Sequence, residues 1–103
     1  MKRLFLLIVG LLFLWAGSVL AFSAGTKTDV DGTAAPLSAT STLILDILIQ
    51  ADPDNSEDVF VGDSTSQTIQ LRPADAIYLQ VNNLNVVYVK TGTGPMTVNW
   101  LSR

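Results

Sequence analysis

From Ala39 onward apolar residues recur at every second position, and that period decides most of what this chain can become. In "TLILDILIQ", Leu43, Leu45, Ile47 and Ile49 fall on one face, with Ile44, Asp46, Leu48 and Gln50 on the other. Such alternation marks an extended strand, whose successive side chains point to opposite sides. Val59 and Val61 flank Phe60 in a second run, and residues 68–71 form a third that Pro73 stops. Ile77, Leu79 and Val81 alternate with Tyr78, Gln80 and Asn82; "NVVYVK" follows the tight connection "NNLN", and "MTVNW" follows "TGTGP". β-branched and aromatic residues dominate these runs, while Gly, Pro, Asn and Asp fill the gaps. The expectation is an all-β domain over residues 39–103, a small antiparallel sandwich or barrel of about six strands.

The sequence ahead of that domain is of two other kinds. "MKRLFLLIVGLLFLWAGSVLAFSAG" has the parts of an export signal: Lys2 and Arg3 as a positive start, an apolar stretch over residues 4–15, and a small residue, Ala21, before a cut at Phe22. It also fits a retained anchor, because from Leu4 to Phe22 only Ser18 is polar and about twenty apolar residues span a bilayer core. Residues 1–21 are therefore read as an apolar helix, either signal peptide or transmembrane anchor. Positive flanks stay in the cytoplasm, so both readings export the rest of the chain, to the periplasm, the outside or a virion membrane. Residues 22–38, "FSAGTKTDVDGTAAPLS", hold no apolar period and read as a flexible linker.

Composition excludes several functions. At 103 residues the chain is at most one domain, and it has no His and no Cys. Ser-His-Asp and Cys-His catalysis, zinc sites with nitrogen or sulfur ligands, disulfides and a lipidated cysteine are all ruled out. From Phe22 onward, four basic groups stand against nine acidic ones, leaving a net charge of −5. Nucleic-acid binding needs a basic footprint to meet phosphates, so no nucleic-acid partner is expected.

Five of the acids lie within "ADPDNSEDVFVGDS", residues 51–64. Counted as a twelve-residue calcium loop, Asp52, Asp54, Ser56, Asp58 and Asp63 take ligand positions. The sixth position is Glu57, where the sharp EF-hand turn needs Gly, and the last ligand is Asp in place of a bidentate Glu. The flanks alternate as strands, where an EF-hand has helices. A looser calcium site on Asp52, Asp54, Asp58 and Asp63 is the one metal reading left. Paired catalytic carboxylates would need a fixed separation in a cleft. Asp52-Pro53-Asp54-Asn55 is instead rich in turn formers, and a turn is the expected structure. No cofactor is expected.

Elsewhere, "GTGP" lacks the Lys of a phosphate loop and reads as a hairpin connection. Trp100 reads as a largely buried core residue. Tyr78 and Tyr88 are expected half exposed on one face opposite the Ile77, Leu79 and Val81 stripe, as a sugar or partner surface. The strand at 43–49 is apolar on both faces, which points to self-association or docking on a larger partner.

The run "IQADPDNSEDVFVGDSTSQTIQLRPADAIYLQVNNLNVVYVKTGTGPMTVNWL" resembles a small β-domain of bacteriophage virion and tail-associated proteins over residues 49–101. Its shared pattern is carried by Ala51, Pro53, Asn55, Val59, Val61 and Gly62, then Leu71, Pro73, Ile77, Leu79 and Val81. It continues through Leu84, Val87, Tyr88 and Val89 to Val98, Asn99, Trp100 and Leu101. Ala74-Asp75 departs from it, where a glycine-containing turn is common, and the export segment is foreign to it. The resemblance implies no catalytic residues. It implies a non-enzymatic structural or interaction module, exported or membrane-tethered, whose partners are virion or envelope proteins. The rival expectation is a secreted or periplasmic domain that recognises carbohydrate or metal through loop 52–66.

Overall fold

The structure, a computed structural model, describes residues 22–103. The apolar helix expected over residues 1–21 lies outside the described residues, and among those described no helix is long and apolar enough to cross a membrane. The strands are β1 (Ser23–Val30), β2 (Ala35–Pro36), β3 (Ile47–Ala51), β4 (Val59–Gly62), β5 (Gln67–Leu71), β6 (Ala76–Leu79), β7 (Tyr88–Lys90) and β8 (Met96–Ser102), with one 3₁₀ turn at Leu84–Val86. They form two antiparallel four-stranded sheets, ordered β1-β8-β3-β6 and β2-β7-β4-β5. The first is sheet A and the second sheet B. The all-β expectation holds, and of its two forms the chain takes the one with two sheets.

Period two explains the core. Ile47, Ile49 and Ala51 of β3, Val59 and Val61 of β4, Val89 of β7 and Val98 of β8 are fully buried between the sheets. Each such Val or Ile contributes roughly 1.5–3 kcal/mol of burial, which a disulfide-free domain of this size needs. Val30, Leu37, Leu71, Leu84, Val87 and Met96 complete the cluster, with Ile77, Leu79 and Trp100 partly buried against it.

Three expectations need correction. The stretch read as a linker at 22–38 supplies two strands. Ser23–Val30 pairs along β8, and Ala35–Pro36 pairs with Val89 and Tyr88 of β7. β1 is held by backbone hydrogen bonds and buries only Val30, so it needs no apolar stripe. As an edge strand it also gains from Lys27, Asp29 and the bulge between Lys27 and Val30, which discourage pairing with other chains. Secondly, the strand expected at 43–49 begins at Ile47; Leu43 makes only an isolated bridge to Asn83. Trp100 is partly buried and packed against the core, in keeping with the expectation for it. It lies across Gly25, where a Cβ would come within 2.2 Å of the indole ring, so β1 can have no side chain at that position. Lastly, Tyr78 is in β6 of sheet A and Tyr88 in β7 of sheet B, so the two do not share a face.

At Ala74, the departure from the phage-like pattern, φ is +76°, the left-handed region that favours glycine. The turn geometry is the glycine one, adopted by alanine.

Candidate functional site

The pairing register gives the sandwich two unlike ends. Ser23, Ser102, Ile47 and Leu79 make one row across sheet A, and Val30, Met96, Val98 and Ala51 lie at its other end. Sheet B is aligned with it, because the Thr91 N–H donates to the Asp31 carbonyl at 2.8 Å. The connections around 29–34, 52–58, 72–75 and 91–95 are therefore together at one end. They bring Asp29, Asp31, Asp52, Asp54, Glu57, Asp58 and Asp75, seven of the nine acids of the chain. At the opposite end are Phe22, the segment 37–46, the turn 63–66, the segment 80–87 and Arg103.

The acidic end is a set of fastened turns. Asp52 Oδ1 accepts from the Asp54 N–H at 2.9 Å and Oδ2 from the Asn99 amide at 3.0 Å, which hold its carboxyl below the ordinary range. Asn55 reaches across to β8, donating to the Thr97 carbonyl at 2.8 Å and accepting from the Thr97 N–H at 2.9 Å. Glu57 accepts from the Thr93 hydroxyl, from the Thr93 N–H at 2.9 Å and from the Thr91 hydroxyl at 3.3 Å. Those donors, the Thr93 hydroxyl foremost, depress its pKa. A carboxylate stabilised in this way is a weak base, suited to tying the 91–95 connection to the 52–58 loop.

The four acids of the calcium reading are not gathered. Asp63 lies beyond β4, at the opposite end from Asp52, Asp54 and Asp58. Its Oδ1 closes the 63–66 turn by accepting from the Thr65 hydroxyl at 2.8 Å and from the N–H groups of Thr65 and Ser66, each at 2.9 Å. Asp58 accepts from the Gln70 amide. Among the described residues, no three carboxylates converge as a metal ligand set would.

The other end is mostly Ser, Thr and Asn, but it carries a few strongly exposed apolar side chains, and the outer face of sheet A beside it holds an apolar row. On that face one row runs Ala24, Leu101, Leu48, Tyr78 across all four strands. Leu101, Leu48 and Tyr78 are exposed. A shallow depression of about 260 Å³ adjoins them, lined by Leu48, Gln50, Ala76, Asn99, Trp100 and Leu101. Beyond the row, Phe22 is 60 %, Leu45 75 % and Leu43 84 % exposed. The alternation of β3 shifts ahead of the strand: Asp46 and Ile47 are buried in succession, Ile44 packs against the core, and Leu43 and Leu45 on either side of it turn outward.

Between face and end sits an ion pair that the sequence reading missed. Asp46, almost fully buried, accepts from the Tyr78 hydroxyl at 2.6 Å and from Arg103 Nε at 3.0 and 3.1 Å. The Arg103 guanidinium, then the Tyr78 hydroxyl, hold the Asp46 carboxyl below its ordinary range, and the same contact raises the Tyr78 phenol. The one signal for it was Asp46 itself, a charge inside an apolar strand.

The outer face of sheet B carries a second depression, of about 490 Å³, lined by Phe60, Gln67, Thr68, Lys90, Thr91 and Gly92. Phe60 stands between Gln70 and Lys90 on the neighbouring strands. Tyr88, half-buried, lies opposite Gly62 and Pro36 on the same face. Lys27, Arg72 and Arg103 are ion-paired, whereas Lys90 has no ion pair among the described residues.

Compared with known proteins, the chain matches no protein-family model and no curated protein.

Proposed function

We propose that this chain is a non-enzymatic structural or interaction module of the bacteriophage virion type, exported or tethered to a membrane, which docks on neighbouring proteins through the outer face of sheet A. The observation that carries this reading is the row Leu101, Leu48 and Tyr78, left exposed across the middle of a sheet whose other face is the core. Exposed apolar residues that cluster, in place of scattering singly, mark a contact surface. The Asp46–Tyr78–Arg103 cluster fixes one edge of that surface, so the tyrosine ring is presented in one orientation. The phage-like pattern over residues 49–101 and the export segment supply the setting. Mass spectrometry of purified virus particles and of host envelope fractions tests the reading. Peptides of the chain should be found in particles or envelope, and their first residue tells whether the mature chain starts at Met1 or Phe22. Recovery solely as a free soluble protein overturns it.

A secreted or periplasmic carbohydrate-binding role is the second reading, and Phe60 favours it. A half-exposed aromatic ring flanked by Gln67, Gln70, Thr68 and Lys90 offers a sugar ring an apolar plane with hydrogen-bonding groups around it. Glycan-array binding that is lost on Phe60→Ala, with no particle or envelope association, would favour this role over the first.

A further inference from the structure

The most exposed apolar side chains of the described residues, Leu43, Leu45 and Phe22, gather at one end, and most of the acids gather at the other. A fold of random surface polarity has no reason to sort itself in this way. We infer that the Phe22, Leu43 and Leu45 end seats on a lipid bilayer surface, and that the acidic end projects into water. This rests on the tethered form of the reading above.

Chain connectivity supports lipid as the occupant. The apolar run of residues 4–22 leads directly into β1, which starts at Ser23. A span built from that run leaves no slack, so the end of β1 cannot stand far from the bilayer. β1 pairs with β8 and β8 with β3, which puts Phe22 and Leu45 on opposite sides of Arg103; the Leu45 N–H donates to the Arg103 carbonyl. Leu43 bridges Asn83, in the 80–87 segment of the same end.

Charge agrees. Arg103 and Asp46 neutralise each other at this end. Asp63 is there too, without an ion pair among the described residues. Its carboxylate is held by the hydroxyl and N–H of Thr65 and the N–H of Ser66, so the 63–66 turn stays on the water side of the seat. The opposite end, crowded with carboxylates, would lose much hydration and be repelled by anionic lipid. Size argues against a protein partner here. Strands about 4.8 Å apart in sheets about 10 Å apart give an end of on the order of 400 Å², half of the roughly 800 Å² that each partner buries in a stable complex. A few leucines and a phenylalanine suffice to dip into a bilayer interface when the chain is already held there.

Because the chain has no Cys, single-cysteine variants report cleanly. Leu43→Cys, Leu45→Cys and, at the acidic end, Asp54→Cys are labelled with a polarity-sensitive dye in the full chain and reconstituted into phosphatidylcholine vesicles. Labels at 43 and 45 should shift to the blue and be quenched several-fold more by a lipid-resident quencher than by an aqueous one. The label at 54 should behave in the opposite way. If the chain floats with the vesicles but labels at 43 and 45 are as open to the aqueous quencher as that at 54, the seating is wrong and the tether stands. If the chain does not float with vesicles, the tether fails and the seating with it. Protection of 43 and 45 that appears without lipid and grows with protein concentration would assign this end to a second copy and overturn the inference.

Discussion

The two ends of the sandwich are built from the same strands but finished in opposite ways. At the acidic end, the side chains of Asp52, Asn55 and Glu57 accept hydrogen bonds from backbone or neighbouring groups, so each connection carries its own fastening. At the other end, Asn83, Asp63, Ser38 and the Asp46–Tyr78–Arg103 cluster fasten the connections too, but Leu43 and Leu45 are among the most exposed residues of the fold. Asp52 and Glu57 at the acidic end are therefore tied into the fold, whereas Leu43 and Leu45 at the other end stand exposed. Polar residues hold the fold where one would look for a site, and apolar residues are free where one would look for packing.

Acid should have the largest effect. Asp46, Asp52, Glu57 and Asp63 are depressed below the ordinary 3.8 of Asp or 4.5 of Glu. A depressed carboxylate adds stability above its unfolded pKa, and that stability is lost as pH falls through the folded value. Urea melts should give a level plateau at neutral pH and a steady loss below about pH 4.5, and Glu57→Gln should make the loss shallower. A stability that rises on acidification would mean that repulsion among the acids outweighs their fastening.

Next is Asn55→Ala, which strands the Thr97 N–H and leaves the Thr97 carbonyl with the Asp52 N–H as its remaining donor. It should lower unfolding stability by roughly 2–3 kcal/mol, measured as a shift in the urea midpoint at constant slope. Ala74→Gly, in the same end, should act in the reverse sense. Relief of the left-handed φ of +76° should raise stability by about 1 kcal/mol. At the opposite end, Leu43→Ser with Leu45→Ser should leave stability within about 0.5 kcal/mol of the parent, since neither side chain is in the core. A large loss there would place the leucines in the fold and remove them as a contact surface. Smallest of all is calcium, since the four acids are split between the ends. Thermal melts in EDTA and in millimolar calcium should superimpose.

Much of sheet structure was legible in the sequence, because inward Ile47, Ile49, Val59, Val61, Val89 and Val98 each pair a buried face with period two. β1 was not, since Ser23–Val30 is bound through backbone groups that every residue possesses, and small polar side chains give an edge strand no signature. Leu43 and Leu45 share the parity of Ile47 and Ile49 in the sequence, but the bend at Leu45 and the successive burial of Asp46 and Ile47 shift the alternation, so that Ile44 meets the core and the leucines do not. Of the candidate surface, Tyr78 was singled out from the sequence. Its link to Asp46 and Arg103 depends on residues 32 and 57 positions from that aspartate in the chain, and no short-range rule reaches so far.

Strand β8 stands between β1 and β3 in sheet A, although it follows both in chain order. Until residues 96–102 have emerged from ribosome or translocation channel, β1 has no partner and β3 pairs with β6 alone. Half of the sandwich thus waits on its latest strand. Non-local pairing of this kind folds slowly. Were the chain exported, as proposed above, as an extended thread, that order of strands would keep this domain open until its last strand had passed.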